Sequence, residues 1–380
     1  MDFRELERYL DQITAWRIPG ADCLVYLHGE PVFRYGAGYA DLASRRPVSE
    51  RDLYFLYSMT KVITCTAALQ LHEQGKFLMT DPVWTYLPEL KDMMVQQTDD
   101  GGQVVLKKAE KEITIRDLFT MMAGLTYDLN TPSIRAVREH SQGRSPTRDV
   151  IRAIAADPLI FEPGTHFNYS LCHDMLGALI EVISGKRFGK YLDEAIFQPL
   201  GMKDTGFSLT DARKERMATQ YNFDDTTGKA LRVAMANVFV VGSEYESGGA
   251  GLISSVDDYM RFADTLCHKG LSRGGERILS SHSVDLMRTN HLDDASLRDF
   301  TWIQMAGYGY GLGVRTMLDR TRSGSLSPVG EFGWAGAAGA YVLMDPEHEL
   351  TVVYAQHLLN SQEPFVHPRI RNLVYRCLER

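Results

Sequence analysis

Cysteine is scarce in this sequence, and no two cysteines lie close together. The five cysteines are scattered along 380 residues without a C-x-x-C pair. This distribution argues against a disulfide framework and against a cysteine zinc site. The eleven histidines supply no metal motif either, because they contain no H-E-x-x-H and no tightly spaced pair. We therefore predict a protein without a metal ion or other cofactor.

Long apolar runs and basic runs are also missing. No apolar segment is long enough to span a membrane, and residues 1–16 mix charged and apolar side chains instead of forming the apolar core of a signal peptide. The formal net charge is -8, which disfavours nucleic acid or an anionic membrane as a partner. We expect a cytoplasmic protein that acts on small molecules. The sequence gives no indication of the oligomeric state.

Both ends of the chain carry patterns typical of β-hairpins. Residues 21–27 and 31–35 form one candidate pair of strands, and residues 340–344 and 350–356 form another. Helical periodicity precedes the first pair and follows the last. We therefore predict an α+β fold in which the two ends of the chain combine into one antiparallel sheet flanked by helices. The corresponding domain would be discontinuous and would comprise residues 1–80 and 250–380.

The middle of the chain is predicted to be mostly helical. Residues 81–249 would form the second domain, with approximate boundaries. The polar stretch at residues 97–111 contains Asp99-Asp100-Gly101-Gly102 and predicts an exposed loop or a small hairpin. Helical periodicity or capping patterns occur at residues 114–122, 147–155, 171–183 and 256–267.

Ser58-Met59-Thr60-Lys61 is the first candidate for chemistry. It follows the apolar run at residues 53–57 and precedes a helical pattern that extends to Gly75. A spacing of three residues places Lys61 on the same helix face as Ser58, and a partly desolvated lysine in its neutral form can remove the serine proton. Since this pattern occurs by chance about once in a chain of this length, the assignment depends on partners elsewhere in the sequence.

Two later segments supply such partners. Tyr169 lies just before the helix predicted at residues 171–183, where a nearby Lys61 cation would lower the pKa of the phenol and let it carry a proton between Ser58 and a leaving group. The glycines and alanines that flank Trp334 at positions 333–339 precede a predicted strand and would let a substrate approach backbone N–H donors closely.

Together these segments resemble the serine β-lactamase and penicillin-binding-protein superfamily, in particular the class C β-lactamases and the family VIII carboxylesterases. The resemblance implies a β-lactamase-like fold with the active site between the sheet domain and the helical domain. It also implies that Ser58 is the acylated nucleophile, that Lys61 and Tyr169 share the acid–base work, and that the backbone N–H groups of Ser58 and Ala337 form the oxyanion hole. The matching segments are Gly38 to Asp41 with Pro47, Tyr57 to Lys61, Ala123 to Tyr127, Pro163 to Leu171, Gly248 to Ser255, and Trp334 to Gly336.

Two departures from the family pattern bear on the substrate. Where β-lactamases commonly have Tyr-x-Asn and Lys-Thr-Gly, this chain has Tyr169-Ser170-Leu171 and Trp334-Ala335-Gly336. A β-lactam carboxylate would therefore lose its cationic partner. We predict hydrolysis of small or medium carboxylic esters, with weak β-lactamase activity as a side reaction. The predicted substrate-binding residues are Tyr127, Leu171, Trp334, Ala335 and Gly336.

Other functions remain as alternatives. The same scaffold could serve a β-lactamase, a D-aminopeptidase or amidase, or an acyltransferase, and a catalytically silent binding module is a further alternative from a different class. The sequence Gly270-Leu271-Ser272-Arg273-Gly274 matches the G-x-S-x-G pattern of another hydrolase fold. That pattern requires a strand before the serine, whereas a helix is predicted there. Gly307 to Gly313 is interpreted as a glycine-rich strand.

Overall fold

The computed structural model describes residues 1–99 and 101–379. Asp100, part of the predicted polar loop, lies outside the described residues. The helices are α1 (Arg4–Trp16), α2 (Thr60–Glu73), α3 (Ile115–Phe119), α4 (Pro132–His140), α5 (Thr147–Ala155), α6 (Cys172–Ser184), α7 (Phe188–Leu192), α8 (Gln198–Leu200), α9 (Asp211–Lys214), α10 (Val256–Cys267), α11 (Ser281–Met287), α12 (Arg320–Ser323) and α13 (Glu363–Leu378). The strands are β1 (Gly20–Leu27), β2 (Glu30–Asp41), β3 (Arg46–Pro47), β4 (Tyr54–Phe55), β5 (Met94–Thr98), β6 (Val104–Lys108), β7 (Tyr221–Asp224), β8 (Lys229–Arg232), β9 (Ile253–Ser254), β10 (Tyr308–Tyr310), β11 (Arg315–Met317), β12 (Phe332–Ala335), β13 (Tyr341–Asp345) and β14 (Leu350–Gln356).

An antiparallel sheet of eight strands joins the two ends of the chain. Its order is β10-β11-β12-β13-β14-β1-β2-β3. The junction is the pairing of β14 with β1, in which Val353 lies opposite Leu24. The prediction of an α+β fold with one antiparallel sheet built from both ends is therefore confirmed.

Helices cover both faces of this sheet. Successive apolar residues of a strand point to opposite faces, so each face has an apolar surface that helices bury. Val352 of β14 packs with α1 and α13, whereas its neighbour Val353 belongs to the core on the α10 side. This alternation is the expected two-residue period of a strand. Helix α1 buries Leu6, Leu10 and Ile13, a spacing that places one apolar stripe against the sheet.

The segment between residues 81 and 249 contains α3 to α9 and two separate hairpins, β5–β6 and β7–β8. The first hairpin includes most of the predicted loop at residues 97–111. The predicted helix at residues 114–122 is shorter than expected, because Met121 has a φ of 61° that a right-handed helix cannot contain. The second hairpin was not predicted. The division of the chain into domains at these boundaries stays a prediction.

Two sequence motifs that were not assigned a catalytic role, at residues 270–274 and 307–313, have the local structure predicted for them. Ser272 follows α10 and a turn, and its hydroxyl accepts a hydrogen bond from the backbone N–H of Glu276 at 3.0 Å. The strand–serine–helix arrangement of a nucleophile elbow is therefore not present at Ser272. The glycine-rich segment forms β10 at Tyr308–Tyr310. Among the described helices, none has the length and apolar character that crossing a membrane requires.

Candidate active site

Ser58 lies in a single 3-10 turn, Tyr57–Met59, directly before α2. The predicted position in a first helical turn is close to this, although the turn is tighter than an α-helix. Tyr57 has a φ of 47°, a left-handed conformation that costs a non-glycine residue about 1 kcal/mol or more. The buried Tyr57 side chain is held by a hydrogen bond from its hydroxyl to Gln220 and by edge contact with Phe239 at 5.7 Å between ring centroids. These contacts hold the backbone that presents Ser58.

Lys61 is fully buried and is the second residue of helix α2, one turn after Ser58. Its Nζ donates to Ser58 Oγ at 3.3 Å, to Tyr127 Oη at 3.2 Å and to the Gly249 carbonyl at 2.7 Å. Burial lowers the pKa of Lys61 to about 8, and the charge of Asp174 opposes that shift. At pH 7 roughly a tenth of this amine is therefore neutral and able to accept a proton, and the neutral fraction increases as the pH rises through 8.

Tyr169 lies between two other aromatic side chains. Its ring stacks on Tyr127 and on Trp334, each with ring centroids 5.6 Å apart, and Trp334 Nε1 donates to Tyr169 Oη at 3.0 Å. Lys61 Nζ lies 4.6 Å from the Tyr169 ring centroid. Burial raises the pKa of Tyr169, although its hydrogen bonds with Ser58 and Trp334 act in the opposite direction.

The expectation that Lys61 lowers the pKa of Tyr169 is therefore wrong. The phenol loses more solvation on burial than its hydrogen bonds return. Tyr169 consequently stays protonated across the neutral range. It can therefore act as a general acid, which donates a proton and is then reprotonated.

Tyr127 contacts both the cavity and the Lys61 amine. It lines the cavity described below, as expected of a substrate-binding residue, but its hydroxyl also accepts a hydrogen bond from Lys61 at 3.2 Å. Tyr127 therefore helps to hold the amine beside Ser58.

A buried carboxylate behind Lys61 was missed in the sequence. Asp174 Oδ1 accepts from the hydroxyls of Tyr245 at 2.7 Å and Ser247 at 2.6 Å, whereas Oδ2 has no hydrogen-bond partner in the described part of the chain. A Cβ atom at Gly249 would lie 2.5 Å from Oδ2 and 3.3 Å from Lys61 Nζ. Glycine at this position thus leaves the space that the carboxylate and the amine share. The available signal was an acidic residue in the first turn of α6, a helix whose next six residues are apolar or glycine.

Replacing Asp174 with Asn is expected to move the acid limb of the kcat/KM profile to lower pH by roughly one unit. The reason is that the Asp174 charge raises the pKa of Lys61, whereas an Asn carbonyl can still accept the hydrogen bonds from Tyr245 and Ser247. The measurement is kcat/KM for a neutral ester across about pH 5 to pH 10. Tyr245→Phe is the control, because it removes a hydrogen bond and keeps the charge. An unmoved limb in Asp174→Asn would contradict this role.

The end of β12 lies directly against the turn that carries Ser58. The backbone N–H of Gly336 donates to the Ala340 carbonyl at 2.7 Å, and a Cβ on Gly336 would lie 2.3 Å from the Leu56 carbonyl oxygen. Glycine therefore permits the close approach that brings Ala337 to the same cavity as Ser58. In the described part of the chain, neither the Ser58 nor the Ala337 backbone N–H donates to a protein acceptor. Both donors remain free for a ligand oxygen.

These residues border a cavity of about 540 Å³, which is within the range that holds a small organic ligand. Ser58, Tyr127, Tyr169 and residues 334–337 line it, in agreement with where the sequence placed them. Leu171 does not: it is buried, and its backbone N–H donates to the Thr126 carbonyl at 3.1 Å. The predicted contact of Leu171 with substrate is thus corrected. Lining residues that the sequence did not indicate are Phe167, Asn168, Phe239, Asp299, Thr301, Trp302, Gln304, Met305 and Glu363.

Across residues 1–99 and 101–379, no group of three or more His, Cys, Asp and Glu side chains is arranged to hold a metal ion.

Fold and site geometry together define a class. An antiparallel sheet with helices on both faces presents a serine at the start of a buried helix, with a lysine one turn later, as in the serine β-lactamase and penicillin-binding-protein superfamily. The beta-lactamase family model matches residues 6–376, and the chain belongs to that family.

Similar proteins include esterases and acyltransferases. Esterase EstB of Burkholderia gladioli is 31% identical over 372 residues, which cover 92% of this chain and 88% of the esterase. Monacolin J acid methylbutanoyltransferase of Aspergillus terreus is 32% identical over 284 residues, 72% of this chain and 67% of that protein. Among solved structures, EstCE1, described as a hydrolase with promiscuous acyltransferase activity, has a TM-score of 0.79 at 25% identity and covers 98% of both chains.

Proposed function

We propose that this protein is a serine hydrolase that cleaves small or medium carboxylic esters through an acyl-enzyme on Ser58. The observation that carries the proposal is the buried Lys61 amine, which lies 3.3 Å from Ser58 Oγ and has a pKa near 8. An amine in this state can take the serine proton without a histidine.

The first half-reaction follows from the positions of these groups. Neutral Lys61 accepts the proton of Ser58 as Oγ attacks the ester carbonyl carbon. The resulting oxyanion accepts hydrogen bonds from the free backbone N–H groups of Ser58 and Ala337. The bond to the alcohol then breaks, and Tyr169 gives its proton to the leaving oxygen and recovers one from Lys61. The products of this step are the acyl-enzyme and the free alcohol.

The second half-reaction uses the same groups in reverse order. A water molecule gives a proton to the acid–base pair and attacks the acyl carbon, Ser58 Oγ leaves and regains its proton, and the carboxylic acid departs. An acceptor alcohol in place of water would give acyl transfer. The size of the cavity, about 540 Å³, and the similarity to a methylbutanoyltransferase support acyl transfer as the second candidate function.

The charge of the cavity supports esters over β-lactams. Among its described lining residues there is no lysine, arginine or histidine, so a β-lactam carboxylate would meet no cation. Trp334 occupies the position at which the missing family lysine would stand, and its ring faces Tyr169. Loss of one charge-assisted contact typically costs roughly 10-fold to 1000-fold in rate.

Substrate profiling separates these activities. We expect kcat/KM for p-nitrophenyl butyrate to exceed that for nitrocefin by about 100-fold or more, with D-aminoacyl amides cleaved more slowly than the ester. Addition of a primary alcohol would reveal acyl transfer as a new ester product. Rapid nitrocefin turnover with negligible ester cleavage would overturn the esterase assignment, and the absence of all turnover and labelling would favour a silent binding module.

A further inference from the structure

The cavity that contains Ser58 carries acidic side chains and no basic ones among its described lining residues. Asp299 and Glu363 both contribute to the lining. Lys61 lies behind Ser58 and is required in its neutral form for the proposed reaction. A substrate in this cavity therefore lies near two carboxyl groups.

The two carboxylates differ in the number of hydrogen-bond and charged partners that the protein gives them. Asp299 Oδ2 accepts from the Phe167 backbone N–H and faces His166 Nδ1, each at 3.1 Å. Glu363, by contrast, accepts one hydrogen bond, from Ser361 Oγ at 3.2 Å. In the described part of the chain it forms no ion pair.

Glu363 is the first residue of α13 and is partly buried. Burial raises its pKa to about 7, because the charged form has lost water without gaining a cationic partner. Its negative charge acts on Tyr169, whose pKa it helps to raise. Glu363 is therefore within electrostatic reach of the proposed acid–base residues, and a cation in the cavity would stabilise its carboxylate.

Aromatic rings lie in the same cavity and suit the same kind of ligand. Trp302 meets the Tyr169 ring edge-on at 5.3 Å and the Trp334 ring at 6.1 Å between centroids. Trp302 is 37% exposed, so part of its ring is accessible. The faces of tryptophan and tyrosine rings attract cations, quaternary ammonium groups in particular.

From these carboxylates and rings we propose that the cavity prefers esters that carry a cationic group, such as a quaternary ammonium, and that Glu363 selects them. This inference rests on the proposed ester hydrolysis. The cation would lie against the Trp302 and Trp334 rings, with the Glu363 carboxylate as its counter-ion. An anionic substrate of the same shape would be disfavoured by both carboxylates.

Substrates matched in shape and different in charge test the proposal. One pair is the p-nitrophenyl ester of γ-trimethylammoniobutyrate and its isostere with carbon in place of nitrogen. The second pair places the cation on the alcohol: choline butyrate and its carbon isostere. In at least one pair, at about pH 8, we expect the cationic ester to have a kcat/KM roughly 10-fold above that of the neutral ester. The p-nitrophenyl half-ester of glutarate should be poorer than both acyl-side esters.

Glu363→Gln should remove most of this preference, so that the ratio of kcat/KM for the cationic ester to kcat/KM for its neutral isostere falls from roughly 10 to within about 3-fold of one. Glu347→Gln is the matched control, because Glu347 is an exposed glutamate in the turn between β13 and β14. The control makes the same change in net charge at a position outside the cavity and should keep the preference.

The outcomes separate this inference from the proposed function. Equal cleavage of both members in both pairs, or a preference that Glu363→Gln does not change, would overturn the role of Glu363 while leaving ester hydrolysis intact. If no ester is cleaved, calorimetric binding of γ-trimethylammoniobutanamide and its carbon isostere to Ser58→Ala tests the cation site alone. Tighter binding of the cationic amide, lost in Ser58→Ala/Glu363→Gln, would support the site; equal binding would refute it.

Discussion

Ser58→Ala is expected to reduce ester hydrolysis by roughly 10⁴-fold to 10⁶-fold and to abolish covalent labelling by a fluorophosphonate. The reason is that Ser58 Oγ is the serine hydroxyl that Lys61 contacts, at 3.3 Å, and it borders a cavity where two backbone N–H groups are free to stabilise an oxyanion. In the labelling reaction Oγ displaces fluoride from phosphorus, so intact-mass spectrometry detects one added phosphonyl group.

Ser272→Ala provides the matched control for this experiment. Ser272 belongs to the G-x-S-x-G sequence, but its hydroxyl accepts a hydrogen bond from Glu276 in a turn. Labelling and turnover of Ser272→Ala should equal those of the unaltered protein. If an adduct persists in Ser58→Ala and disappears in Ser272→Ala, the nucleophile has been assigned to the wrong serine.

Lys61→Met should lower kcat by about 1000-fold or more while the protein remains folded. Methionine fills a similar buried volume but cannot accept the proton of Ser58. In the unaltered protein, kcat/KM should rise with pH and level off above about 8, because the neutral fraction of Lys61 increases as pH passes its pKa of about 8. This acid limb should be absent from the residual activity of Lys61→Met.

Lys61→Arg distinguishes a proton acceptor from a simple positive charge. A guanidinium stays protonated throughout the accessible pH range, so Arg at this position would keep the charge and lose the base. We expect it to be as inactive as Lys61→Met, with circular dichroism and thermal unfolding used to confirm that both variants are folded. Substantial activity in a folded Lys61→Arg protein would show that the amine does not act as the base.

Local patterns predicted much of the fold because they report which face of an element is buried. The helices at residues 147–155 and 256–267 were predicted with their observed bounds, since each shows a regular apolar stripe. The hairpins at the two chain ends were recognisable from the alternation of apolar residues. The helix predicted at residues 114–122 ended early because the positive φ of Met121 arises from its surroundings, which the periodicity does not record.

The candidate site, like the fold, was only partly predictable from the sequence. Ser58 and Lys61 are close in sequence, so helix geometry alone predicts their contact. Tyr169 was a candidate from its place before a predicted helix, and the family resemblance added Ala337. Asp174 was missed, because a buried acid within an apolar helix becomes meaningful only when its neighbours are known. The pKa of Tyr169 was predicted in the wrong direction, since nothing in the sequence measures how completely the phenol is buried.

By itself, the sequence determined the family, the antiparallel sheet built from both chain ends, and the serine–lysine pair at the start of α2. The family follows from the resemblance of several motifs along the chain, whereas the sheet and the serine–lysine pair follow from periodicity and from spacings of a few residues. Only the tertiary structure decided what surrounds that pair: Asp174 behind the lysine, the exclusion of Leu171, and the joining of Trp302 and Glu363 to one acidic aromatic cavity. The physical reason is that charge, burial and cavity shape arise from contacts between residues far apart in the chain.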